Sequence, residues 1–460
     1  MKTSCFRRLP GFFLLVCIFI FSVPSRYIAG GIAFAEKPCV IVIDPGHGGM
    51  SAGTCQNGLQ EKDLNLTVAI AMYEELLQYD NVEVYLTRTN DTDMGLIERA
   101  DFAAEKDADF LFCLHFNMSP NHNLFGTEVW ISAFGKYYSE GMSFGKIQME
   151  TMQGLGLYNR GIKTKLLESK EEDYYGIIRQ SRAVGIPCAL IEHCYLDHKN
   201  DEGYYETEDK LKLLGRADAE AAAKYLGLSS QKLGVDYKDY PRVKIPFPKK
   251  VMKPDDTSPE ICTLEEISCD TSNGEVSFSL TATDPESSML YYSYSMDGGV
   301  TWSELFPWQE NVDTLNITLT IPSGSPNPQV MFRAYNLYDL PTESNSITYP
   351  TFSYGEEPDV EQAEANQALT TSDLESDESS PQDSADETGE DNLTEMPTET
   401  SVNASFYIFL GVSLLLACII FSSVMMANWL VKAVRRARKR RQLKKRIRAL
   451  SAKRNRNRRR

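Results

Sequence analysis

From residue 39 to about 228, short continuous apolar runs alternate with segments whose apolar residues recur every three or four positions. The runs are 39–44 (CVIVID), 82–88 (VEVYLTR), 109–116 (DFLFCLHF), 126–132 (GTEVWIS) and 187–195 (PCALIEHCY). Each has the length of a strand, and most lack the apolar-polar alternation of a strand with one wet face. Between them lie stretches with helical spacing, among them LNLTVAIAMYEELLQ, LIERADFAAEKD and KLLGRADAEAAAKYL. Strands that are apolar on both faces and separated by helices predict an α/β domain over 36–228, with a mostly parallel or mixed sheet flanked by helices.

A Pro- and Lys-rich connector at 229–260 ends this pattern. Over 261–350 the chain changes to close-set alternating segments such as EVSFSLTATD and VMFRAYNL, which predict a small β-sandwich of immunoglobulin or fibronectin III kind. Within it SMDGGVTW, Ser295 to Trp302, resembles an Asp-box hairpin and is read as a structural turn. From 351 to 405 the composition is dominated by Glu, Asp, Ser, Thr, Gln and Pro, which cannot bury a core, so a disordered acidic stalk is expected. The run FYIFLGVSLLLACIIFSSVMMANWLV at 406–431 carries no charge. It exceeds the roughly 20 residues that a transmembrane helix needs.

The net charge of −17 hides a sharp segregation. Residues 432–460 are crowded with Lys and Arg and hold no acid, which places that end in the cytoplasm. Its charges begin at the membrane boundary, so the expected partner is anionic lipid of the cytoplasmic membrane and no nucleic acid is expected. A protein partner of the tail is left open. At the other end, basic residues surround GFFLLVCIFIFSV and a small-residue site follows at Ala33-Phe34-Ala35, which makes 1–35 a secretory signal peptide. The expected product is a single-pass protein of the cell membrane with its folded body outside and its tail in the cytoplasm. Of ten cysteines, Cys5 and Cys17 lie in the leader and Cys418 in the apolar run. The others are odd in number and unpatterned, which argues against a disulfide scaffold. Cys39, Cys113 and Cys188 are expected as small buried hydrophobes, and Cys262 and Cys269 are near enough in sequence to pair.

The chemistry gathers at strand ends. The first strand runs out into Asp44 and His47, the third delivers His115 and the last delivers Glu192. In open α/β sheets the ligand crevice lies beyond the carboxyl ends of the strands, where these residues converge, and Glu61 at the mouth of the first helix can fold back to the same place. Two histidines and several carboxylates suit a zinc hydrolase: three protein ligands, an open position and a general base. Gly46, Gly48 and Gly49 are expected to let the loop adopt unusual backbone angles and to keep side chains away from a bulky substrate.

The blocks IVIDPGHGG, NGLQEKDLNL, LTRTNDTDMGLIERADFAAEKDADFLFCLHFN, GTEVW and YGIIRQSRAVGIPCALIEHCYLDHKND resemble, in order, those of the zinc-dependent N-acetylmuramoyl-L-alanine amidases. The resemblance covers about 39–228 and implies that His47, Glu61 and His115 hold Zn²⁺ while Glu192 is the catalytic carboxylate. It implies a peptidoglycan substrate, cut at the amide between the lactyl group of muramic acid and L-alanine. Asp44 is expected to orient His47, Asn117 to bond substrate or the His115 loop, and Arg179 to meet a peptide carboxylate. In one place the chain departs from the family, which has a small residue and a glycine after the catalytic glutamate where this chain has His193 and Cys194. Strand alternation turns His193 away from Glu192 and puts Cys194 on the same face, where it would narrow the site. Two alternatives share the fold: a non-catalytic peptidoglycan-binding receptor, and a zinc peptidase acting on another wall amide.

Overall fold

The computed structural model describes residues 37–354. The leader, the stalk beyond Tyr354, the apolar run at 406–431 and the basic tail read from the sequence lie outside the described residues. The first residues expected in the stalk, 351–354, belong instead to the β-rich region, where Phe352 is buried in the core because its ring adds apolar area that the stalk composition hides. Among the described residues no helix is long and apolar enough to cross a membrane.

Six strands form the central sheet: β1 (Cys39–Pro45), β2 (Val82–Leu86), β3 (Phe110–Asn117), β4 (Thr127–Ile131), β5 (Asn159–Lys163) and β6 (Cys188–Tyr195). Their spatial order is β2-β1-β3-β6-β4-β5. The first four in that order are parallel, β4 runs antiparallel to β6, and β5 is parallel to β4. The sheet is therefore mixed. Sequence reading overlooks β5, because NRGIK is short and has one large apolar residue.

Five helices cover the sheet: α1 (Glu61–Leu76), α2 (Leu96–Glu105), α3 (Gly135–Gly154), α4 (Gly176–Val184) and α5 (Glu208–Leu226). Alternate residues of each strand supply two cores. Ile41, Ile43, Phe110, Phe112, Leu114 and Ile191 pack beneath α1, α3 and α5. Val42, Leu111, Cys113 and Leu190 pack beneath α2 and α4 through Ala103, Ile177 and Ile178. Both faces of the central strands are covered, which is why their sequences read as unbroken apolar runs.

The C-terminal region is β-rich. Strands β7 (Ile261–Asp270), β8 (Glu275–Thr283) and β10 (Thr314–Thr320) form one sheet, and β9 (Met289–Ser295) and β11 (Gln329–Asn336) centre a second. Phe278, Leu280 and Ala282 of the first meet Val330, Phe332 and Ala334 of the second in one buried core. Cys262 and Cys269 both lie on β7 and both are free thiols. Seven residues of extended chain hold them roughly 23 Å apart, too far for the disulfide that their sequence spacing suggests.

This region docks on the α/β domain. Leu290, Tyr291 and Leu305 bury themselves with Phe125. The Tyr291 ring lies 5.0 Å from that of Phe125 and 5.1 Å from that of Tyr158. The Tyr291 hydroxyl donates to the Phe125 carbonyl and the Tyr158 hydroxyl to the Leu290 carbonyl. The connector is pinned as well: Met252 donates its N–H to the Ala133 carbonyl (2.9 Å) and accepts from the Thr164 hydroxyl (2.9 Å).

Behind the docking face lies a buried charge cluster. A bulge between β4 and β5 inserts one residue, so Arg160 and Lys163 both reach Glu128 of β4. Glu128 Oε2 accepts from Arg160 Nε (3.0 Å) and Lys163 Nζ (2.7 Å), and Oε1 accepts from Asn117 Nδ2 and Trp130 Nε1, both at 3.0 Å. Burial by itself would raise the Glu128 carboxyl, but Lys163 and Arg160 pull it down to about 2. An unfolded chain would take up this proton first as pH falls, since an ordinary glutamate titrates at about 4.3. The stabilisation is thus present above that value and is lost as pH falls through about 2. Glu128→Gln is expected to cost about 3–5 kcal/mol at pH 7, because it leaves buried cations uncompensated. It should also flatten the fall in unfolding free energy between about pH 5 and 2 in denaturant titrations. An unchanged slope would assign the acid sensitivity to other carboxylates.

Candidate active site

The chain leaves β1 through Pro45 and turns sharply at Gly46 and His47. His47 occupies the left-handed region, φ 61°. Two buried guanidiniums hold this conformation by gripping successive carbonyls. Arg99 donates to Pro45 O (2.8 Å) and His47 O (2.6 Å), and Arg88 donates to Pro45 O (3.0 Å) and Gly46 O (2.9 Å). Asp44 does not touch the His47 ring, contrary to expectation. Its carboxylate accepts from Arg99 (2.7 Å) and the Thr87 hydroxyl (2.5 Å), so it acts on the loop through Arg99. The His47 ring instead pairs Nδ1 with Ser51 Oγ at 2.9 Å.

The glycines make room for protein rather than for substrate. A Cβ on Gly46 would stand 2.3 Å from the His115 imidazole, which packs flat on the bare backbone. Gly48 and Gly49 are likewise closed in by Thr92 and Asp93.

Loop, helix and strand then bring three donors together. Glu61 opens α1 and lies between His47 and His115 of β3, with their ligand atoms all within 4.8 Å of one another. Glu61 Oε1 faces His115 Nδ1 (2.8 Å) and His47 Nε2 (3.3 Å). The same carboxylate accepts backbone N–H groups from Thr54 (2.8 Å) and Phe116 (3.2 Å), which fix its orientation. Burial would raise this carboxyl, yet the bonds and charges of His115 and His47 hold it well below the usual range. Two imidazoles and one anchored carboxylate are a donor set that suits Zn²⁺.

Glu192 stands on β6 in register with His115 on one side and Glu128 on the other. It is 8% exposed, and its Oε2 has no hydrogen-bond partner. Burial first, then the charges of Glu61 and Glu128, push its carboxyl well above the ordinary value. A group in that state takes and holds a proton readily.

Asn117, expected at substrate or the His115 loop, and Arg179, expected at a peptide carboxylate, both have protein partners here. Asn117 shares the row, but its Nδ2 is spent on Glu128 and its Oδ1 accepts the Met118 N–H (2.9 Å). Arg179 is half-buried on α4, where it donates to the carbonyls of Asp173 and Tyr174 (2.9 Å) and closes the preceding loop. His193 faces away from Glu192 as alternation predicts, pairing Nε2 with Asp218 (2.8 Å) and Nδ1 with the His115 carbonyl (3.0 Å). Cys194 does not narrow the site. A bulge between Glu192 and Tyr195 breaks the alternation and sends Cys194 into the core under α1, α3 and α5. Sequence reasoning misses Glu128 and its cations, although a lone glutamate in the apolar run GTEVWIS is the signal that would have found it.

Residues 41–224 match the family model described as N-acetylmuramoyl-L-alanine amidase. N-acetylmuramoyl-L-alanine amidase CwlM of Bacillus licheniformis is 29% identical over 196 residues, which span 41% of this chain and 69% of that protein. The sporulation-specific N-acetylmuramoyl-L-alanine amidase of Bacillus subtilis (strain 168) is 31% identical over 182 residues, 39% of this chain and 65% of that one. Among solved structures, the catalytic domain of CwlV, an N-acetylmuramoyl-L-alanine amidase from Bacillus (Paenibacillus) polymyxa var. colistinus, is 27% identical. It covers 41% of this chain and 98% of that one with a TM-score of 0.35. The family match contains His47, Glu61, His115 and Glu192 and stops short of the β-rich region, so what it identifies is one part of the chain: residues 41–224 are an N-acetylmuramoyl-L-alanine amidase domain.

Proposed function

We propose that the chain is a zinc-dependent hydrolase of peptidoglycan that cuts the amide between the lactyl group of muramic acid and L-alanine. The observation that carries this reading is Glu192, a buried carboxylate with a free oxygen, aligned across the sheet with His115 of the three-donor cluster. His47, Glu61 and His115 would hold the metal. Zn²⁺ bound there supplies a water of lowered pKa and polarises a carbonyl. Glu192 takes the proton of the attacking water on Oε2 and returns it to the nitrogen of L-alanine as the C–N bond breaks, so one water is consumed and a carboxylic acid and an amine are released. The Arg88 and Arg99 grip on the loop carbonyls keeps His47 in place through this cycle.

The remaining parts fit an enzyme tethered at its workplace. On this reading the leader exports the chain, the apolar run at 406–431 anchors it in the cytoplasmic membrane, and the basic tail lies on anionic lipid. The acidic stalk then carries the domains towards the wall, and the β-rich region is a module of immunoglobulin or fibronectin III kind.

The test is incubation of the full-length chain with a defined muropeptide and mass spectrometry of the products. Release of an intact stem peptide beginning with L-alanine is expected. Cleavage at another amide would make the chain a peptidase, and binding without cleavage would make it a receptor. Glu192→Gln should retain zinc and lose about 10²- to 10⁴-fold in turnover, since the amide keeps the shape but cannot accept the proton. Near-normal turnover would transfer that role to another group. His47→Ala and His115→Ala should each lose zinc as measured by elemental analysis, along with activity, and stoichiometric zinc in the double variant would overturn the ligand assignment.

A further inference from the structure

Arg160 and Lys163 bring two positive charges into the interior beside Glu128, each side chain 1% exposed. Glu128 balances one of them. The second anion comes from the β-rich region: Asp339 Oδ2 accepts from Arg160 Nη2 at 2.8 Å. Tyr291 adds a neutral contact, its hydroxyl accepting from Arg160 Nη1 at 3.0 Å while donating to the Phe125 carbonyl. Three edges of one guanidinium are therefore fixed, one by the amidase domain and two by the β-rich region. The fork geometry of arginine makes this a rigid clamp rather than a diffuse charge contact.

Asp339 is itself held firmly. It lies in the left-handed region, φ 63°, on the turn that follows β11. Asn336 fixes that turn, its side-chain oxygen accepting from the N–H groups of Tyr338 and Leu340, both at 3.0 Å. Asn336 Nδ2 is anchored in turn by Asp255 (3.0 Å) and Asp284 (2.9 Å). Opposite, Gly161 of β5 lets the turn approach, since a Cβ there would stand 2.6 Å from Leu337.

The other end of the chain of contacts reaches the chemistry. Glu128 is the cross-strand neighbour of Glu192, and Asn117, two residues beyond His115 on β3, bonds the same carboxylate. We propose that Asp339 and Tyr291 of the β-rich region are positioning residues for Glu192, acting through Arg160 and Glu128. The proposal rests on the reading of Glu192 as the proton-transfer group. Loosening the clamp lets Arg160 shift from Glu128, and the carboxylate that forms one wall beside Glu192 moves or takes up water. The β-rich region is then a working part of the active centre and not a passenger.

The test is a double-mutant cycle on the full-length chain with a defined muropeptide as probe. Asp339→Asn and Tyr291→Phe preserve shape and are each expected to lower kcat about three- to tenfold with KM and zinc content unchanged. In a Glu128→Gln background, where Arg160 has no carboxylate to hold in place, the effect of Asp339→Asn should vanish. Unchanged kcat in Asp339→Asn, or the same loss in both backgrounds, overturns the proposal. If Glu128→Gln does not fold, the cycle is closed on Asp339→Asn with Tyr291→Phe, whose effects should be non-additive because both act on one guanidinium; additive losses overturn it. A wild-type chain that releases no product refutes the reading of function instead. The coupling is then decided by hydrogen exchange across β4 and β6, where faster exchange in Asp339→Asn supports it and unchanged exchange overturns it.

Discussion

Glu128 and Glu192 face each other across adjacent antiparallel strands in the interior of the sheet. Like charges directly opposite one another destabilise a strand pair, and burial makes the repulsion worse. The molecule resolves this by treating the two carboxylates differently. Glu128 receives four donors, two of them cationic, and stays ionised. Glu192 has a free oxygen and its proton affinity rises. The residue suited to moving a proton is the one whose neighbour has taken up the available positive charge.

Much of the architecture follows from supplying that charge. Two cations must reach one carboxylate from a single edge strand, which strict alternation over three residues forbids, and the bulge in β5 makes it possible. Two buried cations then need a second anion, and no residue of the sheet provides it to Arg160; the turn after β11 does. Docking of the β-rich region thus completes a charge balance as well as burying Tyr291 and Leu290. Glu61 answers the same physical problem by a different route. It is flanked by two imidazoles and two backbone N–H groups, an arrangement that favours the ionised form and leaves a soft, nitrogen-rich setting for a metal.

The parts legible in the sequence were those where local pattern and tertiary role coincide. Continuous apolar runs announced β1, β3 and β6, because both faces of those strands are covered and neither leaves a polar imprint. The first, third and last of these runs lead into His47, His115 and Glu192, and Glu61 opens the helix after the first, so all four can be singled out from the sequence as converging. Partners were not legible. Sequence proximity pairs Asp44 with the nearest histidine, whereas its charge goes to Arg99, 55 positions away. For Asn117 the sequence leaves substrate and the His115 loop open, and only the fold shows that Glu128, its neighbour across the sheet, takes its Nδ2 while its Oδ1 accepts the Met118 N–H just beyond β3. Arg160 and Lys163 sit in a short polar-looking stretch, and only the fold shows that they are buried. Cys262 and Cys269 were close in sequence yet far apart in space, because the segment between them is extended.

The departure from the family pattern after Glu192 is explained by which way the chain turns. The bulge leaves Glu192 and Tyr195 on the face of the site and sends both His193 and Cys194 to the other. Tyr195 returns beneath Arg160, with its ring 4.9 Å from the guanidinium carbon, and so joins the wall that Glu128 belongs to. His193 links α5 to β3 by bridging Asp218 and the carbonyl of His115, which secures the backbone of that strand from behind. Neither unusual residue presents a side chain to the site. Substitution at these two positions therefore alters the support of the site rather than its opening.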